Sequence, residues 1–507
     1  MKITLIEFFL ILFLVVYSIL ISHNLPVGTA EDEGAHSMDS FFYYNFLRDF
    51  ARNPSIFLNL ENYIYKFYTF YPALYIIYYP PLFGILSSFL FFILGVNLFV
   101  TRLTSMIFSI LTLICLYYMG KEFYNKNVAI FSVITLAFAP YFFIYSRLAM
   151  LDVPLLFFIL SSILLFYKAV ETNKRKYFYY TGIVMGIGFL LKYTIVTLFI
   201  PFTIYLIYKK SLKNNFKPLI IASIFFLLVC SPYLIVLFFF QGIDSVLYVL
   251  EVGAKDLNFL EHLYFYPLIL FFEVCPLVFL IPILYLLRKK EINETSKFLF
   301  LMIISYFIVL IIIPNKTPKY IIPIIPLFSL LLVNSLIKRK ILFLVIFSIV
   351  FIYQFTIAML PPYYTIGNED TLKTDTRSAS EYMNKNIVNN GNIFITPTLD
   401  EASFVFNFAR INNFKTHVFR WRVCLFDNMT IEQFENYVNK NNIYYIVIDQ
   451  KDNRYLAFKE WIDDNFQLVF VQKDIEIYRN NMNRFYELSS ICDYNCKIKK
   501  EICYYFN

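Results

Sequence analysis

AEDEGAHSMDS, residues 30–40, follows an apolar run, ITLIEFFLILFLVVYSILIS (3–22). Four carboxylates (Glu31, Asp32, Glu33, Asp39) and His36 thus stand at the end of a stretch long enough to cross a bilayer. Carboxylates beside a membrane span are costly unless they face water or a partner. Read outward from here, the chain is a polytopic α-helical membrane protein whose acidic turn lies just outside the first span.

The totals agree. The 507 residues are 59% hydrophobic and 21% aromatic, with a mean hydropathy of +0.61. A soluble domain is nearer 45–50% apolar, roughly. The net charge of +8 comes from Lys and Arg in short loops between apolar runs, a topology signal and not a nucleic-acid footprint. Seven cysteines make no disulfide framework: Cys115, Cys230 and Cys275 lie in apolar runs and read as small hydrophobes. Cys492, Cys496 and Cys503 match no zinc spacing. The first run is too long for the usual signal-peptide core and lacks a clean cleavage site, so it reads as an uncleaved span.

Residues 23–80 form a long, aromatic-rich first external loop, suited to short helices at headgroup level. The run from Pro80–Pro81 through 99 is too short for certain crossing. Later runs are at 103–120, 128–145, 153–170, 178–192, 193–208, 218–240, 266–287, 298–314, 320–337 and 341–360. The pair 178–208 reads as two short helices meeting near Lys192. ETNKRK (171–176), KKSLKNNFK (209–217), RKKEINETSK (288–297) and KRK (338–340) are basic and therefore expected on the cytoplasmic side. That puts the loops 146–152, 241–265 and 315–319, and everything after 361, outside. About eleven spans, plus one re-entrant or surface helix at 82–99, satisfy every loop.

After Pro361–Pro362 the composition turns to Asn, Asp, Lys and Thr, marking a soluble domain over 361–507 beyond a membrane domain over 1–360. Residues 375–389 have helical spacing and NIFITP is a short strand. TIEQFENYVN (430–439) is a helix capped by Thr430, with Gln433 completing a capping box. IYYIVID (443–449) is a buried strand, 455–465 a helix and 468–479 a hairpin around Lys473–Asp474. Strands alternating with helices give a small α/β domain. No Gly-rich phosphate loop follows a strand, so no nucleotide is assigned.

Six phrases, in order, carry a resemblance: EDEG (31–34), YYPPL (78–82), TRLTS (101–105), SRLAMLDVPL (146–155), GFLLKY (188–193) and KTPKYIIPIIP (316–326). Together they resemble the external-loop motifs of protein O-mannosyltransferases and their bacterial relatives, including lipid A aminoarabinose transferases. These are polyprenyl- or dolichyl-phosphate-sugar-dependent glycosyltransferases of the GT-C fold. Tyr79 stands where the family has His before the Pro-Pro pair, and the Trp-Trp-Asp motif of oligosaccharyltransferase is absent.

The resemblance implies a transferase moving one sugar from a polyprenyl or dolichyl phosphate to an acceptor protein, lipid or glycan on the outer face. The donor's phosphate needs no general acid, only stabilisation of its growing charge, whereas an acceptor hydroxyl needs a base. The resemblance puts the catalytic carboxylate at Asp32, with Glu33 beside it orienting substrate or Asp32. Asp32 as a single base with direct displacement implies inversion at the anomeric carbon. The bland reading of 31–39 is a solvated acidic face.

Asp152 is read both as a helix cap two residues before Pro154 and as a contact for acceptor, sugar or metal. Arg147 either snorkels or binds phosphate. Lys192, buried in an apolar segment, needs an anionic partner, and the donor phosphate is the natural one. Lys316 and Lys319, with the hydroxyl of Tyr320, make a second basic tip, and Arg102 either pairs with a first-loop carboxylate or anchors a helix end. His36 is a weak metal ligand. No cofactor is assigned, a divalent metal stays open, and no nucleic acid is expected. Two rivals stand beside the transferase: a transporter or flippase for a lipid-linked substrate, with ionisable groups deep in its spans, and a non-catalytic binding homologue.

Overall fold

The computed structural model describes residues 5–23, 31–76, 78–241, 259–288, 292–314, 316–359, 376–386, 391–396, 401–412, 416–420, 429–450, 455–472 and 475–480. The cysteines of the tail and most of the 241–265 loop lie outside them. In chain order the helices are α1 (Leu5–His23), α2 (Glu31–Arg52), α3 (Leu60–Phe70), α4 (Leu82–Leu94), α5 (Leu98–Phe123), α6 (Lys126–Ala137) and α7 (Pro140–Tyr145). Next come α8 (Asp152–Thr172), α9 (Arg175–Phe189), α10 (Phe199–Tyr208), α11 (Phe216–Gln241), α12 (Phe259–Ile269), α13 (Pro276–Arg288), α14 (Glu294–Ile312), α15 (Ile325–Leu336) and α16 (Lys340–Met359).

The chain divides into two compact units. The first comprises Met1–Leu25, Ile77–Leu82 and Arg102–Glu369, the second Pro26–Ile76, Phe83–Thr101 and Asp370–Asn507. Pro26–Ile76, most of the segment after the first helix, therefore groups with the C-terminal segment, and so does most of α4.

Among the described residues, six helical stretches are long and apolar enough to cross a membrane: α5, α8, α11, α14, Pro318–Leu336 and α16. On α5, α11, α14 and α16 the outward Leu, Ile and Phe side chains are exposed, a surface suited to lipid and not to water. This is an integral membrane protein. The remaining predicted spans fall on α1, whose apolar part is Glu7–Ser22, on the shorter helices α6 and α9 and on the stretch Tyr193–Tyr208. α4, at 13 residues, is only about 20 Å long, well under the roughly 30 Å of a hydrocarbon core.

The run read as one span at 266–287 is a broken helix. The helix α12 passes into a π-helical turn, Leu270–Val274, breaks at Cys275 (φ 107°) and restarts as α13. The two pieces are bent by 115°. Glu273 sits buried in that turn and accepts the Tyr141 hydroxyl of α7. Side chains of α16 take up carbonyls at the break: Tyr353 Oη donates to Phe272 O (2.6 Å) and Gln354 Nε2 to Val274 O (3.2 Å). A span can break where neighbours satisfy its backbone in this way.

α9 and α11 pack closely because α9 carries small residues four apart. A Cβ on Gly182 would lie 2.1 Å from Ala222 O, and one on Gly186 2.8 Å from Val229 Cβ.

In the second unit, the segment 23–80, expected to hold short helices, carries a longer one, α2, of 22 residues. Its sequence from 31 to 52 holds no proline and no β-branched residue, and its leading acids suit a helix N-terminus. The C-terminal part adds α17 (Thr376–Asn386), β1 (Asn392–Ile395), α18 (Glu401–Asn412), β2 (Val418–Arg420), α19 (Ile431–Lys440), β3 (Ile443–Asp449), α20 (Leu456–Asn465), β4 (Phe466–Gln472) and β5 (Ile475–Asn480). The strand order is β2-β1-β3-β5-β4. β2, β1 and β3 run parallel, while β5 is antiparallel to β3 and to β4. Phe394, Phe434, Ile446, Phe458 and Ile462 are among the core beneath the sheet. Both bonds of the Thr430–Gln433 capping box are present.

Candidate active site

In the first unit, Asp152 opens α8 and Lys192 lies in the turn after α9. Lys192 Nζ is 2.8 Å from Asp152 Oδ1. Both side chains are largely buried, at 15% and 7% exposure. A buried lysine needs an anion, and here a protein carboxylate supplies one. Asp152 makes no capping bond: the N-cap position is Leu151, and the carboxylate goes to lysine. Its negative charge in the first turn still suits the helix dipole. The Lys192 ammonium also lies 5.5 Å from the centre of the Tyr320 ring, a cation–π distance.

The turn bearing Lys192 is stitched to the Pro-Pro segment. Leu82 N donates to Leu190 O (2.9 Å), and Tyr193 Oη donates to Tyr78 O (3.1 Å). Tyr193 has one proton, so Tyr233 of α11 must donate in their 2.6 Å contact. Thus YYPPL and GFLLKY, 110 residues apart in the chain (78 against 188), form one local structure. Tyr233 was not foreseen, because a tyrosine after Pro232 in an apolar helix has no distinguishing pattern.

Arg147 is buried, its guanidinium 4.3 Å from the centre of the Phe143 ring. The bland snorkelling reading is therefore replaced by a packed cation. The same loop is tied to α5 by Ser105 Oγ donating to Met150 O (3.1 Å), one helical turn beyond the buried Arg102. Lys319 is buried in the 3₁₀ turn Pro318–Ile324 that also carries Tyr320. Lys316 has a different task. Its ammonium donates to the carbonyls of Leu310, Ile311 and Ile313, closing the C-terminus of α14. All three of its protons are so used.

In the second unit, Asp32 and Glu33 stand in the first turn of α2. Asp32 is half-buried and Glu33 fully buried. His36, one turn on, is buried with its ring 5.7 Å from that of Phe83. Among the described residues no group of three His, Cys, Asp or Glu is placed to hold a metal ion. Asp39 is buried and accepts the Tyr75 N–H (2.8 Å), and burial holds its carboxyl well above the usual carboxylate range. The structure thus brings Asp152, Lys192 and Tyr320 together in one unit and sets Asp32 and Glu33 on one helix in the other.

Comparison with known proteins gives the fold. Residues 79–236 match the family described as dolichyl-phosphate-mannose-protein mannosyltransferase. The fold matches that of ArnT from Cupriavidus metallidurans bound to undecaprenyl phosphate: TM-score 0.68 at 13% identity, covering 93% of this chain and 98% of that one. The apo state of the same protein matches with TM-score 0.64 at 12% identity, covering 92% and 97%. No curated protein matches by sequence. The chain has the GT-C fold. The family match is confined to residues 79–236, and the likeness to ArnT is one of fold.

Proposed function

We propose that this protein is a membrane glycosyltransferase that moves one sugar from a polyprenyl-phosphate carrier to an acceptor hydroxyl or amine on the extracytoplasmic face. The observation that carries the reading is the buried Asp152–Lys192 pair beside Tyr320, with both charged partners inside the family-matched segment. ArnT bound to undecaprenyl phosphate supports the carrier class, and the basic loops at 171–176, 209–217, 288–297 and 338–340 support the orientation.

In this scheme Asp32 takes the acceptor's proton as the acceptor oxygen or nitrogen attacks the anomeric carbon. The bond from that carbon to the phosphate oxygen breaks, and polyprenyl phosphate leaves with the electron pair. One displacement inverts the anomeric centre. Lys192, with Arg147, Lys319 and Arg102, offsets the charge that grows on the phosphate. Asp152 aims Lys192, and Tyr320 donates its hydroxyl to the phosphate. Glu33 orients Asp32.

One feature favours a second reading, transport of a lipid-linked substrate: α12–α13 is a discontinuous helix with a buried carboxylate, Glu273, at its break. Sugar release from a radiolabelled polyprenyl-phosphate-sugar panel, with donor binding measured in parallel, separates the two. For the transferase, Asp32→Asn is expected to cut turnover by about 10²–10⁴-fold with donor binding kept. Unchanged turnover would remove Asp32 as base. Donor binding without sugar release, even with acceptors supplied, would favour transport.

A further inference from the structure

The C-terminal domain and the acidic helix α2 meet at a glycine. A Cβ on Gly34 would lie 2.3 Å from Ser403 N, 2.5 Å from Ser403 Oγ and 2.7 Å from Ala402 C. These are contacts that no real Cβ makes, and two of the three atoms are backbone. The first turn of α18 therefore rests directly on the first turn of α2, between Glu33 and Ala35. Gly34 is helical, so no unusual backbone angle calls for glycine here. The close approach does.

Two further contacts seat the same domain on the same unit. Phe406, one turn along α18 from Ser403, stacks on Phe91 of α4 (6.4 Å, 22°). Phe91 in turn meets the edge of the Tyr44 ring of α2 (6.2 Å, 80°). At the strand end, the His417 ring stacks on Phe70 (3.9 Å, 15°), and its Nδ1 lies 2.9 Å from Thr69 O. α18 is buried over most of its length, so it cannot shift without disturbing its own domain.

We infer that the C-terminal domain is a positioning module for the acidic turn: α18, through Gly34 and Phe406, fixes where α2 holds Asp32 and Glu33. Gly34 and Phe406 are positioning residues and touch no substrate. The inference rests on the reading of Asp32 as base. It assigns the domain a part in catalysis through α2, whichever acceptor is used. A misplacement of about 1 Å in a reacting group costs on the order of 10²-fold in rate.

The test uses the full-length protein purified in detergent, as Gly34→Ala and Phe406→Ala beside wild type and Asp32→Asn. Three quantities are read: hydrogen exchange of the amides in 31–45, sugar release from the polyprenyl-phosphate sugar that wild type turns over, and equilibrium binding of polyprenyl phosphate. Expected are faster exchange at 31–45 in both variants, a fall in kcat of about tenfold or more, and carrier affinity within about twofold of wild type (under 0.5 kcal/mol). Exchange at 31–45 equal to wild type would overturn the inference. So would faster exchange with unchanged kcat, since the contact would then not position the base. Loss of carrier binding in step with kcat would also overturn it, showing general damage. The Asp32→Asn arm keeps the two readings apart. If Asp32→Asn retains turnover, the base assignment fails, while exchange at 31–45 still reports whether α18 holds α2.

Discussion

Lys192 and Asp152 lie 40 positions apart in the chain, yet the ammonium is 2.8 Å from the carboxylate. Neither residue is near the other in any local pattern. The turn after α9 brings the lysine to the start of α8, and the Pro-Pro segment pins that turn through Leu82 and Tyr78. Two costly groups thereby offset each other in an apolar surrounding.

The pair makes a first prediction. Asp152→Ala or Lys192→Ala leaves a buried charge alone and should cost about 3–5 kcal/mol of stability. The double variant should lose less than the sum of the two. Unfolding of the three variants in detergent measures this as a double-mutant cycle, and strictly additive losses would mean that the pair contributes no coupling.

Asp39 makes a second. Its folded pKa is raised by burial, while an unfolded aspartate titrates near 3.9, roughly. The unfolded chain then releases its proton first, so stability falls as pH rises through the window between the two values. Asp39→Asn keeps an oxygen for the Tyr75 N–H and removes that loss. The variant should melt higher than wild type at pH 7.5, with the gap shrinking as pH approaches about 4. A lower melting temperature at pH 7.5 would refute this.

Gly182 carries a third. Even alanine places a Cβ against Ala222 O, 2.1 Å away in the present backbone. Gly182→Ala should force α9 from α11 and cost about 1–3 kcal/mol, as overpacking does. Thermal unfolding in detergent reads the loss, and a melting temperature equal to wild type would show that the helices separate freely.

His417 carries a fourth. Burial against Phe70 lowers its pKa, so the ring is neutral at pH 7 and Nδ1–H donates to Thr69 O. The unfolded histidine, near 6.5 by ordinary values (roughly), takes up a proton first as pH falls. Stability present above that pH is therefore lost on acidification through the folded value. His417→Phe keeps a ring on Phe70 but cannot titrate, so its melting temperature should change less than wild type's between pH 7.5 and 5. An identical pH dependence would place the titration elsewhere.

The C-terminal domain shows what local sequence carries. Thr430 and Gln433 are three apart, and their capping box forms as read. IYYIVID is a strand because its β-branched run is buried on both faces. EASFVFNFARIN, by contrast, is α18, which sequence reading passed over. Phe404 and Phe408 stack within it (6.2 Å, 4°) and nearly every described residue is buried. A helix buried all round has no polar stripe to reveal its period. Glu273 went unmarked inside the run 266–287, and the bend at which it sits depends on Tyr141, Tyr353 and Gln354, all remote in sequence.

The sequence by itself determined the membrane class, the order of most helices, the turn at Lys192 and the six loop motifs, because hydropathy, charge bias and turn chemistry act over a few residues. Only the tertiary structure decided that Lys192 is met by Asp152, that Lys316 closes a helix, that the 266–287 run breaks, and that α18 lies on Gly34. Those outcomes depend on which groups are buried together, and burial is set by packing between segments far apart in the chain, which no local pattern records.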